Sequence, residues 1–82
     1  MKNKNDYAIE VIDKDGKFVS QIDVAESFEE AQDWLKYFVK EKIAGENEHY
    51  RITEIEYENK YEEKIEKGIY VMGEYDKRGK EI

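Results

Sequence analysis

The sequence predicts an α+β fold: a small antiparallel β-sheet in β-β-α-β-β(-β) order, with one amphipathic helix packed on one face. Three observations carry this expectation. A serine-headed capping box at Ser27 opens a run of apolar residues at helical spacing. The stretches Tyr7 to Asp13 and Glu54 to Glu66 alternate in character with period two, as half-buried strands do. Between the first alternating run and the next, Asp15-Gly16 is a strong short-range hairpin signal.

The chain has 82 residues, no cysteine and a formal net charge of -7. That length suits a single domain spanning residues 1–82, which buries only about 60 to 65% of the surface its unfolded form exposes. Apolar residues make up 39% and charged residues 43%, a balance that would indicate disorder if the apolar residues were scattered. They are large, aromatic-rich and periodic, so a folded chain is expected. The negative charge opposes approach to nucleic-acid phosphates and anionic lipid, so neither direct nucleic-acid binding nor membrane association is expected. No apolar run approaches ~18 residues, and Met1 to Asp6 is too polar for a signal peptide, which makes the cytoplasm the default location. The bias toward lysine and glutamate is compatible with a bacterium or its phage.

The six residues Met1 to Asp6 are polar and expected to fray. Tyr7, Ile9 and Val11 then alternate with Ala8, Glu10 and Ile12. A two-residue turn at Asp15-Gly16 pairs Val11 with Ser20, Ile9 with Ile22 and Tyr7 with Val24, collecting Tyr7, Ile9, Val11, Phe18, Ile22 and Val24 on one face. A three-residue loop closed by Gly16 slips that pairing by one and mixes apolar with polar positions, so the two-residue turn is preferred.

Ser27-Phe28-Glu29-Glu30 forms the capping box, in which the serine oxygen accepts from the Glu30 amide and the Glu30 carboxylate reaches back to the Ser27 amide. Phe28, Ala31, Trp34, Leu35, Phe38, Val39 and Ile43 share one arc of a helix running to Ala44, with Gly45 as its stop. Trp34 on that arc is a core residue. Tyr37 lies off it, where a tyrosine can anchor a partner.

Glu46 to His49 reads as a loop, and strand character resumes at Tyr50. Apolar residues switch from even (Tyr50, Ile52) to odd (Ile55, Tyr57), which predicts a bulge or twist near Thr53 and Glu54. Asn59 to Gly68 fits either a capped two-turn helix or a continuing strand that turns at Glu66-Lys67-Gly68 into Ile69 to Tyr75. Alternation over the whole stretch favours the strand. Asp76-Lys77-Arg78-Gly79-Lys80 echoes Asp13-Lys14-Asp15-Gly16-Lys17, and the shared demands of tight turns explain the echo more simply than a duplication.

No catalytic residue, metal site or cofactor site is expected. His49 has no second imidazole or thiol to complete a metal site, and Asp13, Asp15 and Gly16 lack the remaining ligands of a calcium loop. Paired carboxylates are uninformative among 21 acidic residues, and nucleophile and phosphate-loop motifs are missing. The sharpest feature is a row of carboxylates, Glu54, Glu56, Glu58 and Glu62, interrupted by Lys60 and continuing past Lys64. At ~6.7 Å between alternate strand residues, such a row approaches the spacing of nucleic-acid phosphates. Its simpler role is to keep an exposed sheet face soluble.

The expected function is a non-enzymatic protein-binding module, an inhibitor or adaptor of bacterial or phage origin, that presents this acidic face to a basic partner surface, with nucleic-acid mimicry as its most specific form. Alternatively, the chain is a structural or self-assembling domain that homodimerises through an apolar sheet face. That face would comprise Ile12 and Val19, paired across the first hairpin, with Tyr70 and Met72 on the last strand and Tyr37 as a further anchor.

Overall fold

The computed structural model describes residues 5–59 and 63–82. Its elements are β1 (Asp6–Asp13), β2 (Phe18–Ala25), α1 (Phe28–Lys40), β3 (Glu48–Asn59) and β4 (Glu63–Tyr75). The strands form one antiparallel sheet in the order β2-β1-β3-β4, and α1 packs on β1, β2 and β3. This is the predicted α+β architecture. β1 lies inside the sheet and is buried on both faces, which is why Ala8 to Ile12 carries so little polar sequence. Ile9 and Val11 join Ala25, Ala31, Leu35, Ala44, Tyr50, Ile52 and Tyr75 in the core beneath α1. Ala8, Glu10 and Ile12 face the other way.

The first hairpin corrects the expected turn. The Gly16 amide donates to the Asp13 carbonyl, the Asp13 amide donates to the Lys17 carbonyl, and Gly16 is left-handed with φ 81°. The loop is therefore Lys14-Asp15-Gly16, three residues long, and Asp13 Oδ1 secures it by accepting from the amides of Asp15 and Lys17. The slip this loop introduces is absorbed by bulges. Ile12 pairs with Phe18 and Val11 with Ser20, leaving Val19 as an extra residue; Ile9 pairs with Asp23 and Glu10 with Gln21, leaving Ile22 extra. Ile22 still packs against the core. Phe18 and Val24, expected on the core face, pair with Ile12 and Ala8 on the opposite one and are exposed.

α1 is shorter than its apolar arc suggested. Ser27 Oγ accepts from the Glu30 amide at 3.1 Å as predicted, but the Glu30 carboxylate takes the amide of Glu26 rather than that of Ser27. At the other end Lys42, not Gly45, supplies the left-handed residue, with φ 55°. The Lys42 amide bonds the Val39 carbonyl and the Ile43 amide reaches the Phe38 carbonyl, a Schellman closure. Ile43 consequently leaves the apolar arc and is exposed, while Ala44 turns inward. The fully buried Tyr50 closes this corner: its hydroxyl accepts from the Ala44 amide at 2.9 Å and donates to the Phe38 carbonyl at 3.1 Å.

β3 pairs with β1 in unbroken register from Asp13↔Glu48 to Asp6↔Ile55, so the predicted bulge at Thr53 and Glu54 does not occur in β3. The parity switch has a different cause. Even residues of β3 face α1 throughout, and where α1's cover ends the apolar residues change to the other face. His49 belongs to β3 rather than to the preceding loop, and its Nε2 lies 3.0 Å from Glu74 Oε1 on the face away from α1. After β4, Asp76 to Lys80 repeats the first turn: Gly79 has φ 81°, its amide donates to the Asp76 carbonyl, and Asp76 Oδ1 accepts from the amides of Arg78 and Lys80. Those amide bonds, the one from Lys80 foremost, hold the Asp76 carboxyl below its ordinary pKa. Gly79 also sits against Val39, where a Cβ would come within 3.2 Å of a valine methyl.

Candidate functional site

Beyond the Asp6↔Ile55 pair, β3 and β4 run on together to Asn59↔Glu63 as an arm that outreaches the helix. Strand character thus holds on both sides of residues 60–62, and the two-turn helix over Asn59 to Gly68 is not formed. The expected turn at Glu66-Lys67-Gly68 is not formed either, because these residues lie inside β4. The chain reverses between Asn59 and Glu63, and this reversal divides the carboxylate row.

Glu54, Glu56 and Glu58 alternate along β3 on the side of the sheet that bears α1. Glu66 pairs with Tyr57 and lies on the opposite side. Glu62 lies outside the described residues. The continuous stripe inferred from the alternation is therefore a group of three on one strand. Within it, Glu54 is held internally: its Oε2 accepts from the Tyr7 hydroxyl at 2.6 Å and from Asn5 Nδ2 at 3.2 Å. The hydrogen bond to Glu54, with burial second, raises the Tyr7 pKa above its ordinary value. Tyr7 in turn packs against Phe28 with ring centroids 6.3 Å apart, so Phe28, Tyr7 and Glu54 mark the rim of the core.

Opposite these glutamates stands β4, whose Tyr70 pairs with Glu54 and Gly68 with Glu56. The Tyr70 ring folds back over Gly68 so closely that a Cβ there would lie 2.8 Å from Cζ. Glycine leaves room for the phenol in this position, and a larger residue would displace the exposed Tyr70 ring. The α1 side of the arm is thus acidic with one exposed tyrosine. The other side is mostly apolar, with Glu66 as its acidic member: Ile55 pairs with Ile69, Val71 pairs with Thr53, and Tyr57 stands beside Asp6, with burial and then Asp6 raising its pKa. Ile69, Tyr70, Val71 and Met72 are 60, 50, 55 and 39% exposed, four consecutive large apolar side chains on an edge strand. Scattered exposed apolar residues are ordinary, whereas a consecutive run on a sheet edge is not.

The apolar interface expected from Ile12, Val19, Tyr70 and Met72 is not assembled. Ile12 is fully buried between Phe18 and His49, Val19 is the extra residue of a β2 bulge, and Met72 is the extra residue between Gly73 and Val71 in β4. Tyr70 lies on the opposite face from Ile12, sharing the α1 side with Glu54. Tyr37 is 58% exposed on α1, as its place off the apolar arc implied, with its ring edge-on to Phe38. The bulges at Val19 and Met72 decide this outcome, since each moves the residues beyond it to the other face.

One buried group escaped the sequence reading. Glu10, 9% exposed at the centre of the face away from α1, accepts from Arg51 Nε at 2.9 Å, Arg51 Nη2 at 2.8 Å and Thr53 Oγ1 at 2.9 Å. An acid inside the apolar run Ala8 to Ile12, in a chain with only two arginines, was the available signal. Its partners became visible only with the β1–β3 register, which sets Glu10 opposite Arg51. The cluster is internally satisfied and acts as a polar clasp for the sheet. Elsewhere, a groove of about 250 Å³ between α1 and the second turn is lined by Leu35, Val39 and Tyr75 beneath Gln32, Lys36 and Arg78. Among the described residues no His, Asp or Glu cluster converges on a metal geometry, and no helix is long and apolar enough to cross a membrane.

No protein-family model matches this chain, and no curated protein or solved structure proves similar to it. Function must be argued from the surface of the fold.

Proposed function

We propose that this chain is a non-enzymatic protein-binding module that engages a basic partner surface through the β3–β4 arm. The observation that carries this is the run of four consecutive exposed apolar residues, Ile69 to Met72, next to Gly68, which pairs with Glu56 on the acidic neighbouring strand. Exposed aromatic and aliphatic side chains supply contact area, and adjacent like charges steer a basic partner and reject acidic ones. An inhibitor or adaptor role follows naturally from such a surface, since it works by occupying the partner. Glu54 contributes by fixing the arm's base through Tyr7 rather than by contacting the partner. With the row reduced to three glutamates on one strand, contact with a basic protein surface accounts for the geometry better than imitation of a phosphate track.

The test compares the native chain with the double variant Glu56→Lys, Glu58→Lys as bait in host extract, followed by calorimetry on any protein that the native bait retains. Charge reversal is expected to weaken binding at least tenfold, about 1.4 kcal/mol, with rising salt weakening the native complex in the same direction. Unchanged affinity for the double variant would reject the acidic face as the contact surface.

A further inference from the structure

The two edges of this sheet are unlike. β2 carries extra residues at Val19 and Ile22, and such bulges twist an edge away from pairing. β4 has its own extra residues, Lys67 and Met72, but between them Gly68, Ile69, Tyr70 and Val71 pair regularly with Glu56, Ile55, Glu54 and Thr53. That straight segment presents its outer edge, and among the described residues no strand pairs along it. A short distance onward the chain makes strand-like contacts beyond β4: Tyr75 forms an isolated antiparallel bridge with Glu81, and the Ile82 amide donates to the Glu74 carbonyl at 2.9 Å. The outer backbone of β4 is thus geometrically able to extend the sheet.

We infer that the Gly68–Val71 edge accepts an extended segment of a partner protein as an added strand, and that this segment alternates basic and apolar residues. The inference rests on the arm being the contact element and specifies its ligand. An incoming strand places successive side chains on opposite faces. On one face they meet Ile69 and Val71, with Ile55 behind them; on the other they meet Tyr70, with Glu56 opposite the adjacent Gly68 on the next strand. The first face selects apolar residues and the second selects lysine or arginine. A second copy of this chain suits the edge poorly, because association would bring two bodies of net charge -7 together and pair the acidic arm with itself.

The experiment measures fluorescence anisotropy of end-blocked, labelled peptides of about eight residues, a usual strand length, added to the full chain. One peptide alternates lysine and valine, and a second has the same composition in two blocks. Two more carry the alternating sequence with N-methyl groups on one or the other set of alternate backbone nitrogens. The alternating peptide is expected to bind at least tenfold tighter than the block peptide. One methylated set should lose binding while the other retains it, because only one set faces β4. Val71→Lys, at an exposed position, should weaken the alternating peptide.

Equal binding by all four peptides would overturn strand addition while leaving the acidic contact face intact, and binding by none at low salt would overturn it as well. Failure of the contact face itself is read separately, from unchanged partner affinity in the Glu56→Lys, Glu58→Lys chain. Sedimentation of the chain alone as a dimer that Val71→Lys dissociates would show a second copy on the edge and overturn the foreign segment as its occupant.

Discussion

Replacing Arg51 with methionine tests whether the Glu10 clasp holds the face of the sheet that α1 leaves uncovered. In the native chain Glu10 Oε1 receives two bonds from Arg51 and one from Thr53, with the glutamate side chain 11% and the arginine side chain 22% exposed. Arg51→Met keeps most of the side-chain bulk but leaves a nearly buried carboxylate with the threonine hydroxyl as its remaining donor. Breaking one side of a buried pair costs about 3 to 5 kcal/mol, and partial exposure of the arginine moves the expectation below that range, to about 2 to 3 kcal/mol. A chain of 82 residues has a total stability of about 4 to 12 kcal/mol, so the loss is plain in a urea titration followed by the single tryptophan, Trp34.

The double variant Glu10→Leu, Arg51→Met removes both charges and their desolvation together. It is expected within about 1 kcal/mol of the native chain, far from the sum of the two single changes. Two results would refute the reasoning: an Arg51→Met cost below about 0.5 kcal/mol, or strict additivity in the cycle.

Three further outcomes are expected. Tyr50→Phe orphans the buried Ala44 amide, and a loss of about 2 kcal/mol in chemical denaturation is expected, since an unsatisfied buried donor costs about 1 to 3 kcal/mol. Lys42→Gly should stabilise the chain by about 1 kcal/mol, seen as a higher melting temperature, because a left-handed lysine at the helix stop costs about 1 to 2 kcal/mol that glycine avoids. Titration to alkaline pH reads Tyr7: its folded pKa lies above the ordinary 10.0, so its contribution to stability is full below pH 10.0 and is lost as pH rises from there through the raised folded value. Tyr7→Phe should make that alkaline limb shallower, and an unchanged limb would show that the Glu54 hydrogen bond does not set it.

Much of this architecture was legible in the residues because its signals are local. The Ser27 cap, the apolar arc from Phe28 to Val39, the Asp-Gly turn and the period-two runs each depend on a few neighbouring side chains and backbone angles. Class and element order follow from them. The acidic residues of the arm were equally visible, but not their division: Glu54, Glu56 and Glu58 share a face by alternation along β3, whereas Glu66 belongs to β4, pairs with Tyr57 and lies on the opposite side.

What the tertiary structure alone decided is which face each residue occupies. A one-residue slip inverts a strand, and the extra residues at Val19 and Ile22 impose such slips on β2 against β1, as Lys67 and Met72 do on β4 against β3. Local sequence cannot report that balance, because it is set by partners distant along the chain, such as Arg51 for Glu10 and Glu54 for Tyr7. The sequence by itself determined a helix on an antiparallel sheet with an acidic strand. Only the packed sheet decided that this strand belongs to an arm with an acidic side, a mostly apolar side and an open edge.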